Sequence, residues 1–305
     1  MNKHVVILGA GEIGTALSYA LKKYDGPVDI WDIDESKLPE KKNLETILPH
    51  ADIVLLCVPS WAARDALLQA LKHVPKNTAF VSLSKGIDKK THMTLDAILQ
   101  EVVASHPFGL LGGPLLAEEI MGDKNGIGVL ASKNKGIFTD LQTLFKKSCI
   151  SLEYTNDVAG AALCGVVKNV YAISLGVAKG LGLGDNEIGW AVKQALKEMN
   201  QIVIHFGGRQ ETVYGSAGLG DFIATGFSSF SSNYAFGVEI AQKGKTDVKC
   251  EGVHSLVSLA HKIDIDNLSS VPLFLMLYSI VHDKRDVREA WSALTHRCFN
   301  TKLCY

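Results

Sequence analysis

HVVILGAGEIGTALSYALKK, residues 4–23, puts a β-branched run, a glycine turn and a helical stretch in immediate succession. The turn reads Gly9-Ala10-Gly11-Glu12-Ile13-Gly14, a GxGxxG match directly after a strand and directly before a helix. In that context each glycine has a physical task. Gly9 allows the tight turn, Gly11 lets a pyrophosphate approach the backbone, and Gly14 permits close packing of helix on strand. Glu12 and Ile13 complete the set, and the helix N-terminus offers unpaired amides to the anion. The fingerprint calls for an acidic residue about 20 positions on. Asp32 stands 18 beyond Gly14 and closes the next strand, VDIWD at 28–32. A carboxylate there accepts hydrogen bonds from an adenosine ribose and repels a 2'-phosphate. Asp34 competes for that role; no arginine is adjacent, and Lys37 is the nearest cation. The reading is a dinucleotide site that prefers NAD over NADP.

Outward from this stretch the alternation continues. IVLLCV at 53–58 is continuous enough to be buried on both faces, and Pro59-Ser60 ends it. Residues 62–71 read as a helix, 78–83 as a strand, 93–101 as a helix and 126–131 as a strand. Strand, crossover helix, strand is the grammar of a mostly parallel sheet. Near residue 150 the pattern changes. From Val158 the chain reads as helices over 158–178, 187–206, 221–226, 233–242, 250–262, 272–281 and 286–295. Gly180, Gly182 and Gly184 mark a break, since glycine inside a helix costs about 1 kcal/mol relative to alanine. The expected fold is α/β: a Rossmann-type, mostly parallel sheet domain over 1–150, then an all-helical carboxyl-terminal domain over 151–305, an architecture like that of 6-phosphogluconate dehydrogenase.

Composition narrows the function classes. With 47% apolar residues, and 31 Lys plus Arg against 32 Asp plus Glu, global disorder and phosphate-driven nucleic-acid binding are disfavoured. Cys57, Cys149, Cys164, Cys250, Cys298 and Cys304 form no CxxC pair and are expected as reduced thiols in a cytoplasmic protein. The ten histidines show no metal-ligand spacing, so no metal is expected. No run of 18 uninterrupted apolar residues occurs, so no membrane insertion is expected. The partner read here is a small-molecule substrate, with a homodimer left open.

Further groups follow in order: Val58-Pro59-Ser60, Ser84-Lys85-Gly86-Ile87, Gly113-Pro114 with Ala117 and Glu119, and Asp157 to Gly160. Then come Val167-Lys168-Asn169-Val170, Gly218 to Asp221 with Thr225, Asn233, Glu251-Gly252-Val253, Pro272 and Arg297. In this order and spacing the chain resembles the NAD(P)-dependent glycerol-3-phosphate dehydrogenases of bacterial and eukaryotic-cytosolic type. The resemblance spans essentially the whole chain, and KNV followed by GLGD is its most specific part. It implies interconversion of dihydroxyacetone phosphate and sn-glycerol 3-phosphate at a site between a Rossmann and a helical domain. By that resemblance Lys168 is the catalytic lysine and Lys85 a second active-site lysine. Asp221 and Thr225 stand beside Lys168, Asn233 contacts substrate and cofactor, and Pro59, Lys85 and Ala117 join the cofactor-binding set.

The chemistry is consistent from below. Hydride addition to a ketone develops negative charge on oxygen, which a positioned ammonium can stabilise and protonate. Lys168 is a charge inside the apolar run VVKNVYAI, where an unpaired lysine is rarely buried. Its bland alternative is a snorkelling surface lysine; for Lys85 it is a solvated turn, and for Asp221 simple helix capping.

Three departures bear on the substrate. Where the family usually has Ser-Arg-Asn, this chain has Ser231-Ser232-Asn233, so the arginine that grips the substrate phosphate is replaced by Ser232. A hydroxyl supplies neither the charge nor the fork of a guanidinium. Leu115 and Leu116 replace polar and aromatic residues of the family segment, and the span from Asp34 to Asp52 is short. A different, unphosphorylated small ketone or secondary alcohol is therefore an alternative substrate. A low-activity nucleotide-binding regulatory homologue is a third reading.

Overall fold

The computed structural model describes residues 2–263 and 270–300. The chain folds into two compact units, Met1–Asp88 with Met93–Ala162, and Lys89–His92 with Leu163–Tyr305.

In the first unit the strands are β1 (Val5–Leu8), β2 (Val28–Trp31), β3 (Ile53–Leu56), β4 (Ala79–Ser82), β5 (Phe108–Gly112), β6 (Gly126–Ala131) and β7 (Ile150–Thr155). They form one sheet in the order β2-β1-β3-β4-β5-β6-β7. β1 to β5 run parallel, β6 is antiparallel to β5, and β7 is parallel to β6. The inner strands are apolar on both sides because helices cover both. Val5, Ile7, Ile53, Leu55 and Val81 pack with Leu17 of α1 (Glu12–Ala20) and Leu141 of α6 (Lys135–Phe145). The alternate residues Val6, Leu8, Val54, Leu56 and Phe80 pack with Leu67 of α3 (Ala63–Ala70) and Leu99 of α4 (Leu95–Val102). β1 lies between β2 and β3, so the chain reverses its direction of travel across the sheet at β1. In open α/β sheets that switch point, at the carboxyl ends of the strands, is where ligands bind.

The strands at 108–112 and 150–155 are absent from the sequence reading. FGLLG at 108–112 carries two glycines, which weaken a strand signal, and ISLEYT at 150–155 is an edge strand with only Ile150 buried. The expected hand-over at 150 falls at the start of β7, whereas the compact units divide after Ala162. Also unread were α2 (Leu44–Ile47), α5 (Ala117–Met121) and α6, the first two being five residues or fewer.

The remaining helices are α7 (Val158–Gly180), α8 (Asp185–His205), α9 (Gln210–Tyr214), α10 (Asp221–Gly226), α11 (Ser232–Lys243), α12 (Glu251–Lys262), α13 (Pro272–Val281) and α14 (Val287–Asn300). The break at Gly180 to Gly184 is where expected. α7 is long and apolar enough to span a membrane, yet 94% of its most apolar stretch is buried inside the protein. α7 and α11 cross at glycines: a β-carbon on Gly176 would strike the Tyr234 carbonyl, and one on Gly237 the Ile173 carbonyl. Cys57, Cys149, Cys164 and Cys250 are free thiols. Cys298 is disulfide-bonded, which corrects the expectation of six thiols. Cys304 lies outside the described residues.

Candidate active site

The glycine turn follows β1. Gly9 has φ +106°, and a β-carbon there would lie 2.7 Å from the Cys57 carbonyl oxygen. A β-carbon on Gly14 would collide with the Gly9 carbonyl. These two glycines are required by the protein itself. Gly11 is different, because a β-carbon there would meet nothing within 4 Å. It is also the N-cap of α1, where a glycine offers no side chain to cap the first helical amides. An open position at a helix N-terminus fits the backbone approach of a pyrophosphate. Glu12 and Ile13 open α1, with Glu12 exposed and Ile13 partly packed on the core.

Asp32 follows β2 and is buried. Its Oδ2 accepts from the Ala10 amide at 2.7 Å, and its Oδ1 from the Asp34 amide at 2.9 Å. The acid is therefore tied to the glycine turn itself, with lone pairs left for further donors. Asp34 turns away and accepts from the Ser36 hydroxyl at 2.6 Å; Ser36 holds its carboxyl below the ordinary range. That geometry favours Asp32 over Asp34 as the ribose acceptor. Beside Asp32 is a cavity of about 430 Å³, lined in part by Trp31, Ile33, Leu38, Lys41 and Lys42. These residues fit an adenosine, and the short 34–52 span forms one wall.

Pro59 follows β3 and precedes a single turn of 3-10 helix, Ser60–Ala62. Lys85 follows β4, partly buried, and its Nζ donates to the Gly113 carbonyl at 3.0 Å. Ala117 opens α5 and packs on the core. Gly9, Asp32, Pro59 and Lys85 thus all lie beyond the carboxyl ends of parallel strands, in the first unit.

The second unit holds the other group. Lys168 lies mid-α7 and is only 6% exposed. Its Nζ donates to Asp221 Oδ1 at 3.1 Å and to Thr225 Oγ1 at 2.6 Å. Asp221 and Thr225 are themselves buried, one turn apart on α10. The snorkelling alternative for Lys168 therefore fails. Asp221 is the first residue of α10, which a five-residue π turn, Ser216–Gly220, leads into, and its carboxylate accepts from Lys168, so it does more than cap the helix. Sequence reading missed this widened turn; GSAGLG, 215–220, was its only signal. Asn233 Nδ2 donates to Asn169 Oδ1 at 3.1 Å, and Asn233 Oδ1 accepts from the Gly252 amide at 2.8 Å. It thereby pins α11 and α12 to α7 at the residue next to Lys168. Ser231 caps α11, and Ser232 is its exposed first residue. Lys243 closes the same helix, about 16 Å away at 1.5 Å per residue, too far to replace a cation at 232. Among the described residues, no group of three or more His, Cys, Asp or Glu could hold a metal ion.

A dinucleotide turn on a doubly wound sheet, followed in the chain by a helical unit with a buried lysine on a carboxylate and a hydroxyl, defines an NAD(P)-dependent dehydrogenase acting on a CH–OH group. Two family descriptions match the chain: the N-terminus of NAD-dependent glycerol-3-phosphate dehydrogenase over residues 35–137, and its C-terminus over 157–292. The chain is 34% identical to a glycerol-3-phosphate dehydrogenase (NAD(P)+) of Synechocystis sp., covering 96% of this chain and 93% of that one. It is 33% identical to the enzyme of that name from Acaryochloris marina, over 98% and 97% of the two chains. The glycerol-3-phosphate dehydrogenase structure from Coxiella burnetii superposes with TM-score 0.86 at 26% identity, over 96% and 99% of the chains. The protein belongs to the NAD(P)-dependent glycerol-3-phosphate dehydrogenase family.

Proposed function

We propose that the protein interconverts dihydroxyacetone phosphate and sn-glycerol 3-phosphate, with Lys168 as the proton donor to the carbonyl oxygen and NAD(H) preferred over NADP(H). The observation that carries the reading is the buried Lys168–Asp221–Thr225 group in a chain of this family. When bound, the reduced nicotinamide supplies the hydride for the carbonyl carbon. The protein's own part is the oxygen. Lys168 holds a proton at Nζ, stabilises the growing negative charge and delivers that proton. Asp221 and Thr225 accept from the same Nζ and fix its direction, so little reorganisation accompanies the reaction. Lys85, aimed by the Gly113 carbonyl, supplies a second cation for an anionic substrate. Asp32 supports the cofactor preference, because a buried carboxylate next to the ribose opposes a 2'-phosphate.

A second reading rests on Ser232. Its exposed hydroxyl, where a phosphate-gripping arginine is expected, weakens the case for a phosphorylated substrate. NADH oxidation with dihydroxyacetone phosphate, set against unphosphorylated dihydroxyacetone, separates the two. Preference for the phosphate ester supports the proposal; preference for the free ketone overturns it. Ser232→Arg should then lower the Michaelis constant for the phosphate ester about 10-fold or more, with little change in maximal turnover. Contacts remote from the carbonyl act mainly as uniform binding.

A further inference from the structure

We propose that the first unit binds a second small molecule, a zwitterion joining a phosphate to an ammonium, in a groove at the amino-terminal edge of its sheet. Two adjoining cavities make the groove, one of about 650 Å³ and one of about 340 Å³, and Gln100, Phe108 and Lys133 line both. Topology fixes its place. Lys76 precedes β4 and His106 precedes β5; β6 runs antiparallel to β5, so Lys133 and Lys135 beyond it return to the same edge. Gly9, Asp32, Pro59 and Lys85 lie beyond the opposite, carboxyl ends. A four-residue strand such as β4 holds the two edges about 13 Å apart.

The larger cavity carries one sign of charge. Lys76, His106, Lys133 and Lys135 line it, and among the described residues no carboxylate does. Other lysines of this unit are paired: Lys41 with Glu35, Lys42 with Asp29 and Lys147 with Asp25. Among the described residues, no carboxylate lies within 4.0 Å of Lys76, Lys133 or Lys135, and the Lys135 ammonium is 6.0 Å from the Tyr154 ring centre. Asn134 caps α6 between Lys133 and Lys135, so the positive end of that 11-residue helix adds to the same field. His106 stands edge-on to the buried Phe80, with ring centres 5.4 Å apart, and forms a fixed wall. Like charges gathered in a concave site repel one another until an anion joins them. The smaller cavity has the opposite need. Of its two carboxylates, Asp157 is engaged, accepting from the Gly160 amide at 3.0 Å. Asp96 Oδ1 is buried and has no hydrogen-bond partner, a costly state that a ligand ammonium relieves. Lys133 lines this cavity together with Asp96, so one small molecule reaches both charges.

Direct binding tests this without turnover. O-phosphoethanolamine, inorganic phosphate and ethanolamine are titrated calorimetrically into the NADH-saturated protein, so that the pyrophosphate position is already filled. The parent should bind O-phosphoethanolamine saturably and more tightly than either fragment. Lys133→Ala should weaken O-phosphoethanolamine and phosphate alike, roughly 5- to 30-fold, the scale of one partly exposed charge-assisted contact. Lys76→Ala should do the same more weakly, and both effects should shrink as salt rises. Asp96→Asn should remove the advantage of O-phosphoethanolamine over phosphate and leave phosphate binding unchanged. NADH affinity should be the same in all the proteins, because none of these residues lies at the carboxyl edge, and a thermal melt of each confirms folding. No saturable binding by the parent at millimolar probe would overturn the proposal. So would parental affinities in folded Lys133→Ala, which would put the anion at another site, or an undiminished preference for O-phosphoethanolamine in Asp96→Asn.

Discussion

Lys168→Ala is expected to lower turnover by about 100-fold or more while leaving NADH affinity nearly unchanged. The residue is on the helical unit and the dinucleotide turn on the sheet unit, so the substitution removes a proton donor without touching the fingerprint. A lost general acid costs this much because the oxyanion must then form without a positioned donor. The burial of Asp221 complicates the variant in a useful way. Its Oδ1 loses the Lys168 partner and is left as a buried charge, so Lys168→Ala also costs stability. Lys168→Met with Asp221→Asn removes both charges, and should recover stability but not turnover. Steady-state kinetics with a thermal melt on each variant separates the two effects. A Lys168→Ala protein with near-parental turnover would take Lys168 out of the mechanism.

Glu198→Ala is expected to destabilise the helical unit by about 3–5 kcal/mol, a large share of the 5–15 kcal/mol typical of folded proteins. Glu198 is fully buried on α8 and has four donors. Its Oε1 accepts from Gln194 Nε2 at 2.7 Å and the Leu273 amide at 2.8 Å; its Oε2 accepts from the Tyr171 hydroxyl and the Phe274 amide, both at 2.9 Å. One carboxylate thus joins α7, α8 and the N-terminus of α13, where unpaired amides need an acceptor. Truncation strands all four donors. Burial pushes the carboxyl up to about 7 from an ordinary value near 4.5, while the four donors pull it back toward the ionised form. The folded acid therefore holds its proton more tightly than the unfolded one. Its contribution to stability is fully present below about 4.5 and is lost as pH rises toward about 7. Glu198→Gln, which cannot ionise, should flatten the pH dependence of stability across that window. Urea unfolding followed by helical circular dichroism measures both effects. A parental midpoint for Glu198→Ala would mean that the donors find other acceptors.

The legible parts of this chain are those written in local pattern. GAGEIG between strand and helix located the dinucleotide turn, and the apolar runs at 5–8 and 53–56 became strands buried on both faces. Lys168 stood out because a charge interrupted an apolar helix, but its partners were 53 and 57 residues away. Only the family resemblance joined them beforehand. β5 and β7 went unread because glycine and edge exposure dilute the apolar signal. The Glu198 clamp was invisible for a different reason. Nothing in QALKEMNQ marks the glutamate as buried, and its donors come from three helices brought together only by folding.

Phosphorus NMR of the purified protein with NADH and dihydroxyacetone phosphate, paired with the loss of NADH absorbance, tests the redox assignment most directly. The expected result is sn-glycerol 3-phosphate formed in equal amount to the NADH consumed, with Lys168→Ala forming it at least about 100-fold more slowly. Unchanged dihydroxyacetone phosphate at saturating NADH would contradict it.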